Sequence, residues 1–280
     1  MDGRWLDLPA SHFSLAGTIR LRKKTDTDPS QVLQSLRDGT CRSPFVHDDG
    51  EYRSLHFDFR STQSSMLIRD PDKLTFAYTR KMASFLIFKP DPREIVIVGL
   101  GGGSLTRFCL RALPDASITT VEINDEVIAL SELFGLPEIG VRHQLVCADA
   151  TTYFATTSRM ADVVLVDGCD RRGTARAFCE PRFYEILRAR LRAKGLLSIN
   201  LIGPRRIRES AKAAIANTFS DDHIKLQLSA GGNELLFVFS DANYSVDWLE
   251  ARFRAAELAI RYGINFPDFV GRMQRHALER

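Results

Sequence analysis

The feature of this 280-residue chain that most constrains its fold is an alternation of apolar, strand-like runs with amphipathic helical stretches, which begins near Leu74. The run from Glu94 to Gly99 is almost continuously apolar, which is typical of a strand covered on both faces. Strand–helix alternation of this length predicts a doubly wound, mostly parallel sheet with right-handed crossovers. We expect strands at 94–99, 117–123, 144–148, 162–167, 195–201, 224–228 and 234–239, and helices at 74–88, from the glycine turn to about 113, and at 125–134, 181–191, 207–219 and 246–262.

The first 75 residues follow a different pattern. Polar and apolar residues alternate with a period of two from Tyr52 to Phe59, and turn-forming residues cluster at 25–30 and 48–50. This pattern favours antiparallel strands and hairpins. We therefore predict a small β-rich N-terminal domain at 1–75 and an α/β domain at 76–280.

Composition excludes several classes of protein. A net charge of +3, from 38 Lys+Arg against 35 Asp+Glu, is too small to indicate nucleic-acid binding. No apolar run approaches the roughly 20 residues that a membrane-spanning helix needs. The five cysteines form no Cys-x-x-Cys pair and the six histidines are scattered, so we expect no metal site. Dispersed thiols behind a first segment that does not resemble a signal peptide predict a cytoplasmic protein.

The turn after the strand at 94–99 carries the first functional signal. It reads Gly99-Leu-Gly101-Gly-Gly103-Ser104 and opens a helix, so a ligand can approach its backbone closely. A dinucleotide fingerprint would place glycine at the position of Ser104. The Gly-x-Gly-x-Gly spacing found here is instead typical of proteins that bind S-adenosylmethionine. By itself, the motif is also compatible with a structural turn.

Two acidic residues strengthen the prediction of a nucleoside site. Glu122 ends the next strand, where a carboxylate can accept hydrogen bonds from the two hydroxyls of a ribose. Asp149 follows the third strand, where it can accept from an adenine amino group. Each residue could alternatively be a solvated strand end or a helix cap. Because ligands bind beyond the carboxyl ends of parallel strands, the three features together predict one nucleoside site.

A second acidic pair follows the fourth strand of the predicted sheet. Asp167 and Asp170 are three residues apart, just beyond the carboxyl end of that strand. An amine that attacks the carbon of a sulfonium must first lose a proton, which one carboxylate can accept while the other holds the amine. The alternative is that both residues only stabilise the turn.

Four stretches carry a resemblance to a known family: 97–105, 121–124, 166–170 and the Phe-Tyr pair at 183–184. From about residue 63 to 201 the chain resembles the spermidine synthase (polyamine aminopropyltransferase) family, in particular its bacterial spermidine synthase-like branch. The resemblance implies the Rossmann-like fold of class I S-adenosylmethionine-dependent methyltransferases, preceded by a small β domain. It also implies transfer of an aminopropyl group from decarboxylated S-adenosylmethionine to an amine, with no permanently bound cofactor, in a homodimer.

Position by position, the resemblance assigns roles to residues of this chain. Glu122 would bind the ribose, Asp149 the adenine amino group, and Gln63 would lie over the nucleoside. Asp167 would be the base that accepts the proton. Asp170 and Tyr78 would bind the acceptor amine, beside a donor site formed by the turn that includes Gly99, Gly101, Gly103 and Ser104.

The sequence also departs from the family pattern. Ser104 stands where the family usually has an aspartate that helps to bind the cationic end of the donor, and Arg171 replaces a proline. Basic residues occupy positions 80 and 81, where the family has glutamate. We therefore consider the hypothesis that Arg80, Lys81 and Arg107 meet a carboxylate, which would make intact S-adenosylmethionine the donor.

Three functions remain open at this stage. The leading interpretation is an aminopropyltransferase that acts on a small-molecule amine. A methyltransferase on the same fold is the second, since one fold supports many reactions. The third is a nucleoside-binding protein that has lost catalysis. The helical tail after Asp247 is predicted to cover either the cleft or an interface.

Overall fold

A five-stranded antiparallel sheet forms the N-terminal part of the protein. The computed structural model describes residues 4–24, 27–137, 139–170, 173–219, 223–227 and 232–278. The strands pair in chain order as a meander and carry one helix on one side. They are β1 (Trp5–Pro9), β2 (Thr18–Arg22), β3 (Phe45–Asp48), β4 (Tyr52–Asp58) and β5 (Ser61–Leu67), with α1 (Pro29–Arg37) between β2 and β3.

A seven-stranded sheet forms the centre of the rest of the chain. The strands and helices of this part of the chain are α2 (Ala77–Met82), α3 (Phe85–Phe88), β6 (Glu94–Val98), α4 (Ser104–Ala112), β7 (Ser117–Glu122), α5 (Asp125–Leu130), β8 (His143–Cys147), α6 (Ala150–Thr156), β9 (Ala161–Val166), β10 (Cys169–Asp170), β11 (Gly173–Thr174), α7 (Pro181–Arg188), β12 (Leu191–Leu201), α8 (Arg205–Thr218), β13 (Ile224–Gln227), β14 (Glu234–Phe239), α9 (Trp248–Tyr262) and α10 (Phe266–Leu278). Strands β10 and β11 form a separate two-stranded ribbon. The strand order is β13-β14-β12-β9-β6-β7-β8. The last five of these strands run parallel, and β14 runs antiparallel to both of its neighbours. This is the doubly wound, mostly parallel sheet that the strand–helix alternation predicts.

Both faces of the central strands are buried, which explains their unbroken apolar sequence. On β6, Ile95 and Ile97 pack with α3, α4, α9 and α10, while Val96 and Val98 pack with α6, α7 and α8 on the opposite face. Successive side chains of a strand point to opposite faces, so a strand between two helix layers needs apolar residues at every position. The expected strand 234–239 is confirmed without change.

Several helix boundaries differ from the expectation. The predicted helix 74–88 is two short helices, α2 and α3, with a break at Ala83 and Ser84. The helix predicted at 125–134 ends at Leu130 and continues as a 3-10 turn to Phe134. Helices α1, α6 and α10 were not among the expected helices. For α1 a signal was present, because Asp28 caps the helix and Pro29 occupies its first turn.

The two sheets are joined through an apolar contact that fixes the position of the β4–β5 hairpin. Val46, Leu55 and Met66 of the N-terminal sheet pack against α5 and against Leu100 in the glycine turn. The hairpin therefore lies directly over the carboxyl ends of the parallel strands, where the predicted site residues are found.

A buried arginine ties the same junction together. Arg107 of α4 is only 3% exposed and donates hydrogen bonds to the carbonyl oxygens of Pro71, Gly102 and Phe134. Burial lowers the pKa of its guanidinium to about 10, so it remains charged at neutral pH. The Arg107 side chain thus links three segments by hydrogen bonds: the glycine turn, the segment between the two sheets, and the 3-10 turn that follows α5.

Within the described ranges, no helix is long and apolar enough to cross a membrane.

Candidate active site

A cavity lies where the carboxyl ends of β6, β7, β8 and β9 face the β4–β5 hairpin. This is the place where parallel α/β sheets bind ligands. The site residues predicted from the sequence that line it are Gln63, Tyr78, Gly99, Gly101, Ser104, Glu122, Asp149 and Asp167. The apolar part of the lining includes Leu55, Phe57, Phe76, Val127 and Phe178.

The glycine turn brings β6 and β9 into close contact. Gly99 has a φ of +95°, and a Cβ built on it would lie 2.4 Å from the carbonyl oxygen of Asp167. Only glycine avoids both the left-handed strain and this collision. Gly103 is not among the residues that line the cavity. It precedes α4 with a φ of +73°, and a Cβ there would meet Leu136 at 2.7 Å.

Glu122 is fixed by two backbone hydrogen bonds. Its Oε2 accepts from the N–H of Leu100, and its Oε1 accepts from the N–H of Asn124, each at 2.9 Å. A carboxylate oxygen has more than one acceptor position, so both oxygens retain lone pairs for a ligand. The residue therefore shapes the glycine turn and presents an oriented anion to the cavity.

Asp149 is a helix cap that also lines the cavity. It is the N-cap of α6, where its Oδ1 accepts from the N–H of Thr152 at 3.0 Å. It also lines the cavity. A cap hydrogen bond fixes the rotamer of the carboxylate and leaves its second oxygen available to a ligand.

Asp167 lies at the end of β9 and is held by two polar neighbours. Asn200 donates from Nδ2 to its Oδ1 at 2.9 Å. The hydroxyl of Tyr78 also hydrogen-bonds to Asp167. Burial raises the pKa of the Asp167 carboxyl to about 6, even though both hydrogen bonds act to lower it. A carboxylate with a pKa of about 6 is suited to accept a proton near neutral pH.

The remaining two predicted residues are placed differently. Gln63 donates from Nε2 to the Ser61 hydroxyl at 3.0 Å, and its Oε1 lies 3.7 Å from the Sγ of Cys169. Asp170 pairs with Gly173 in the β10–β11 ribbon, but its side chain lies outside the described part of the structure. Position 171, where the family has proline, lies outside the described residues as well.

A second cavity adjoins the first at Asp167. The two share Phe57, Gln63, Phe76, Tyr78, Asp167 and Cys169. The second extends to Asp58 at the end of β4, to Asn200 near the carboxyl end of β12 and to Asn233 just before β14. Asp167 therefore stands at the junction of two adjoining cavities.

Sequence reasoning missed the asparagines. Asn200 is, with Ser198, one of two polar residues in the mostly apolar strand run Leu-Leu-Ser-Ile-Asn-Leu, and that interruption was the available signal. Asn233 lies in a stretch whose sequence resembles an ordinary turn. Its importance depends on the antiparallel pairing of β14 with β12, which local sequence does not specify.

The lining of both cavities is acidic. Among the described residues that line them there are four carboxylates, Asp58, Glu122, Asp149 and Asp167, and no lysine, arginine or histidine. Such a site attracts cations and disfavours a free carboxylate on the ligand. In the described part of the chain, no group of three His, Cys, Asp or Glu residues is arranged to hold a metal ion.

The hypothesis that basic residues meet a donor carboxylate is wrong. Arg80 donates to two carbonyl oxygens of the segment before α2, and Lys81 donates to a carbonyl oxygen of β13. Arg107 is engaged behind the glycine turn. None of the three lines either cavity. Their side chains satisfy backbone groups that the fold would otherwise leave unpaired.

The chain has a class I methyltransferase-like sheet, with an acidic double cavity beyond the carboxyl ends of its parallel strands. The structure resembles human methyltransferase-like protein 13 in complex with SAH (TM-score 0.59, 22% identity, 66% of this chain and 93% of that one). It also resembles a probable spermidine synthase from Corynebacterium glutamicum (TM-score 0.64, 20% identity, 77% and 84%). At these identities the similarity establishes the fold alone.

Sequence similarity establishes the family. Residues 75–202 match the spermine/spermidine synthase domain family. The polyamine aminopropyltransferase of Chromobacterium violaceum is 35% identical over 231 residues, which is 82% of this chain and 88% of that protein. The chain therefore belongs to the spermidine synthase family, as its motifs indicate.

The close approach of Gly99 to Asp167 generates a prediction. Gly99→Ala should lower the free energy of unfolding by roughly 2 kcal/mol more than Gly50→Ala, because only the first adds a steric collision to the left-handed strain. Gly50 is a matched control: its φ is +89°, and nothing lies within 4 Å of the position that an alanine methyl group would take there. Denaturant unfolding of both variants measures the difference. Equal losses of unfolding free energy in the two variants would show that the Gly99 turn can move away from the Asp167 carbonyl without a measurable loss of stability.

Proposed function

We propose that this protein is a polyamine aminopropyltransferase, which transfers the aminopropyl group of decarboxylated S-adenosylmethionine to an amine. The observation that carries the proposal is the paired cavity, lined by four carboxylates and no described cation, with Asp167 at the junction. The decarboxylated donor is a cation without a carboxylate, and polyamine acceptors are cations too. The membership in the spermidine synthase family supports the same reaction.

In the proposed reaction, the lone pair of the acceptor amine attacks the aminopropyl carbon bonded to the sulfonium. The new C–N bond forms as the C–S bond breaks, and the bonding pair returns to sulfur, which leaves neutral methylthioadenosine. Before the attack, the cationic amine loses a proton to the Asp167 carboxylate, which frees the nitrogen lone pair. Asp167 is suited to this step because it is ionised at neutral pH but has a pKa raised to about 6 by burial.

The donor would occupy the first cavity. We assign the ribose to Glu122, whose oxygens are oriented by two backbone N–H groups, and the adenine amino group to Asp149. Gln63 of the hairpin would lie over the nucleoside, and the turn at Gly99 and Gly101 lets its backbone approach. Ser104 lines the cavity where the family usually has an acid, so the cationic end of the donor would rely on the remaining carboxylates.

The acceptor would occupy the second cavity. Tyr78 lies beside Asp167 and contacts its carboxyl group, so both face the position of the attacking nitrogen. Asp170 remains a proposed acceptor ligand from its place in the motif. Its two-residue strand follows directly from the loop that carries Asp167.

The charge of the cavities weighs against the methyltransferase alternative. Intact S-adenosylmethionine carries a carboxylate, and the described lining offers it no cationic side chain. A carboxylate placed among like charges without a partner is strongly disfavoured. The raised pKa of Asp167, together with its place at the junction of the cavities, favours a catalytic role over binding alone.

We also propose a cytoplasmic homodimer that holds no permanent cofactor and binds no nucleic acid. Helix α9 supports the dimer, because Leu249, Phe253 and Ile260 form an exposed apolar stripe on the side opposite the buried Ala255 and Leu258. Large exposed apolar patches commonly mark interfaces between proteins. Light scattering at micromolar concentration should give about twice the chain mass of 31.5 kDa. A monomer at every concentration would refute the dimer.

The proposed reaction is tested by identifying its products. Purified protein supplied with decarboxylated S-adenosylmethionine and a panel of diamines and polyamines should release methylthioadenosine and an acceptor heavier by one aminopropyl group, as measured by mass spectrometry. Intact S-adenosylmethionine should yield neither product. Release of S-adenosylhomocysteine from the intact donor would support the methyltransferase instead.

Asp167→Asn should lower turnover about 100-fold or more while stabilising the fold. The wild-type kcat/KM should rise with pH through an acid limb near pH 6, where Asp167 becomes ionised. The folded state raises this pKa above its ordinary value of 3.8, so the ionised carboxylate destabilises the fold fully above pH 6 and not at all well below 3.8.

The neutral variant should therefore unfold at a higher temperature than the wild type at pH 8, by a gain on the order of 1–3 kcal/mol that disappears as the pH falls below 4. Calorimetry at both pH values and steady-state kinetics provide the readouts. Unchanged turnover would show that Asp167 is not the base. Equal stability of the variant and the wild type at pH 8 would show that the ionised carboxylate of Asp167 does not destabilise the fold.

A further inference from the structure

A chain of two amides leads away from Asp167 along the carboxyl edge of the sheet. Asn200, at the end of β12, donates from Nδ2 to the Oδ1 of Asp167 at 2.9 Å. Asn233, just before β14, donates from Nδ2 to the Oδ1 of Asn200 at 3.0 Å. Asn200 is 5% exposed, and both asparagines border the second cavity. Three side chains, one within β12 and the other two next to β9 and β14, thus form one line of hydrogen bonds that ends on the reacting carboxylate.

The direction of this line is determined chemically. A side-chain amide has an NH₂ donor at one end and an oxygen acceptor at the other. If the Asn200 amide turned over, its oxygen would face the carboxylate of Asp167 and its NH₂ would face the NH₂ of Asn233. The NH₂ of Asn233 disfavours that arrangement because it needs the Asn200 oxygen as its acceptor. In a buried setting such paired hydrogen bonds reinforce each other.

The other side chains near Asp167 do not orient its carboxylate in place of the amides. The titratable side chain of the described residues that contacts Asp167 is the hydroxyl of Tyr78 from α2. The thiol of Cys169 interacts with Tyr78. Glu234, the residue after Asn233, is directed to Lys212 and Lys225 instead. Strands β12 and β14 therefore contribute only uncharged amides to the Asp167 side of the cavity.

We infer that Asn233 is a positioning residue for catalysis: it holds the Asn200 amide in the orientation that donates to Asp167, and so fixes the direction and basicity of the carboxylate. It acts through Asn200 without touching the reacting atoms. The inference rests on the proposed function in naming Asp167 as the base.

The expected change in the pH dependence of activity follows from the direction in which the Asn200 hydrogen bond shifts the pKa of Asp167. Donation to Asp167 stabilises the ionised carboxylate and lowers its pKa. Loss of the orienting contact weakens this donation, so the pKa of Asp167 should rise and the acid limb of kcat/KM should move to higher pH. The defect should be large at pH 6 and small at pH 8, where Asp167 is ionised in either case. A general loss of structure would instead lower activity equally at both values.

The test compares Asn233→Leu, Asn233→Asp and Asn200→Ala with the wild type. Asn233→Leu removes the donor and puts an apolar side chain of similar size in its place. Asn233→Asp reverses the last link, because a carboxylate only accepts and competes with Asp167 for the Asn200 NH₂ group. Asn243→Ala is the control, since it removes the same amide from an exposed turn after β14.

Two readouts are taken on each protein. The first is kcat/KM for aminopropyl transfer across pH 5–9. The second is the ¹³C carboxyl resonance of Asp167, identified by its absence in Asp167→Asn, followed over the same range. We expect Asn233→Leu to lower kcat/KM about threefold or more at pH 6 and less than twofold at pH 8, with Asn233→Asp affected more strongly in the same direction. The ¹³C titration should move upward in step, and Asn243→Ala should match the wild type.

The outcomes separate the two claims. If Asn200→Ala moves the titration of Asp167 and both Asn233 variants leave it unchanged, Asn233 is not a positioning residue. If the wild type transfers no aminopropyl group but the ¹³C titration moves as expected, the proposed function fails while the orientation of Asp167 by Asn233 stands. Thermal unfolding of each variant accompanies both readouts, and an Asn233 variant that is folded but evenly slow at every pH would overturn the inference.

Discussion

The contact between the turn after β6 and the end of β9 is the constraint on which the rest of the site depends. Gly99 lies so close to the carbonyl group of Asp167 that no side chain fits between them. This contact places the carboxylate proposed as the base beside the cavity proposed for the nucleoside, so both can contact one bound donor. Arg107 supports the turn from behind by three hydrogen bonds to backbone carbonyls.

The charges of the site follow a simple division. The cationic side chains that the sequence places near the cleft, Arg80, Lys81 and Arg107, are used to satisfy backbone carbonyl groups away from the cavities. The charged side chains among the described residues that line the cavities are all carboxylates. A cavity of one sign raises the local concentration of ligands of the opposite sign. The basicity of Asp167 has a separate cause, since burial of its carboxyl group raises its pKa.

The central sheet and the main site residues could be predicted because their signals are local. A strand buried on both faces must be apolar, and carboxyl ends of neighbouring parallel strands must meet, so Glu122, Asp149 and Asp167 converge. The failed hypothesis about Arg80, Lys81 and Arg107 depended on the direction of long side chains, which sequence does not specify. Asn233 was missed because its role arises only from the pairing of β14 with β12. The domain boundary at 75/76 and the roles of the individual site residues stay predictions.

The most direct measurement is the ratio of dissociation constants for decarboxylated and intact S-adenosylmethionine, determined by calorimetry on the same preparation of protein. The two ligands differ by one carboxylate, which the described lining would bring among acidic groups with no cation to pair it. We predict that the decarboxylated donor binds at least about tenfold more tightly, a difference of about 1.4 kcal/mol. Equal binding, or tighter binding of the intact donor, would contradict the assignment of an acidic, cation-selective site.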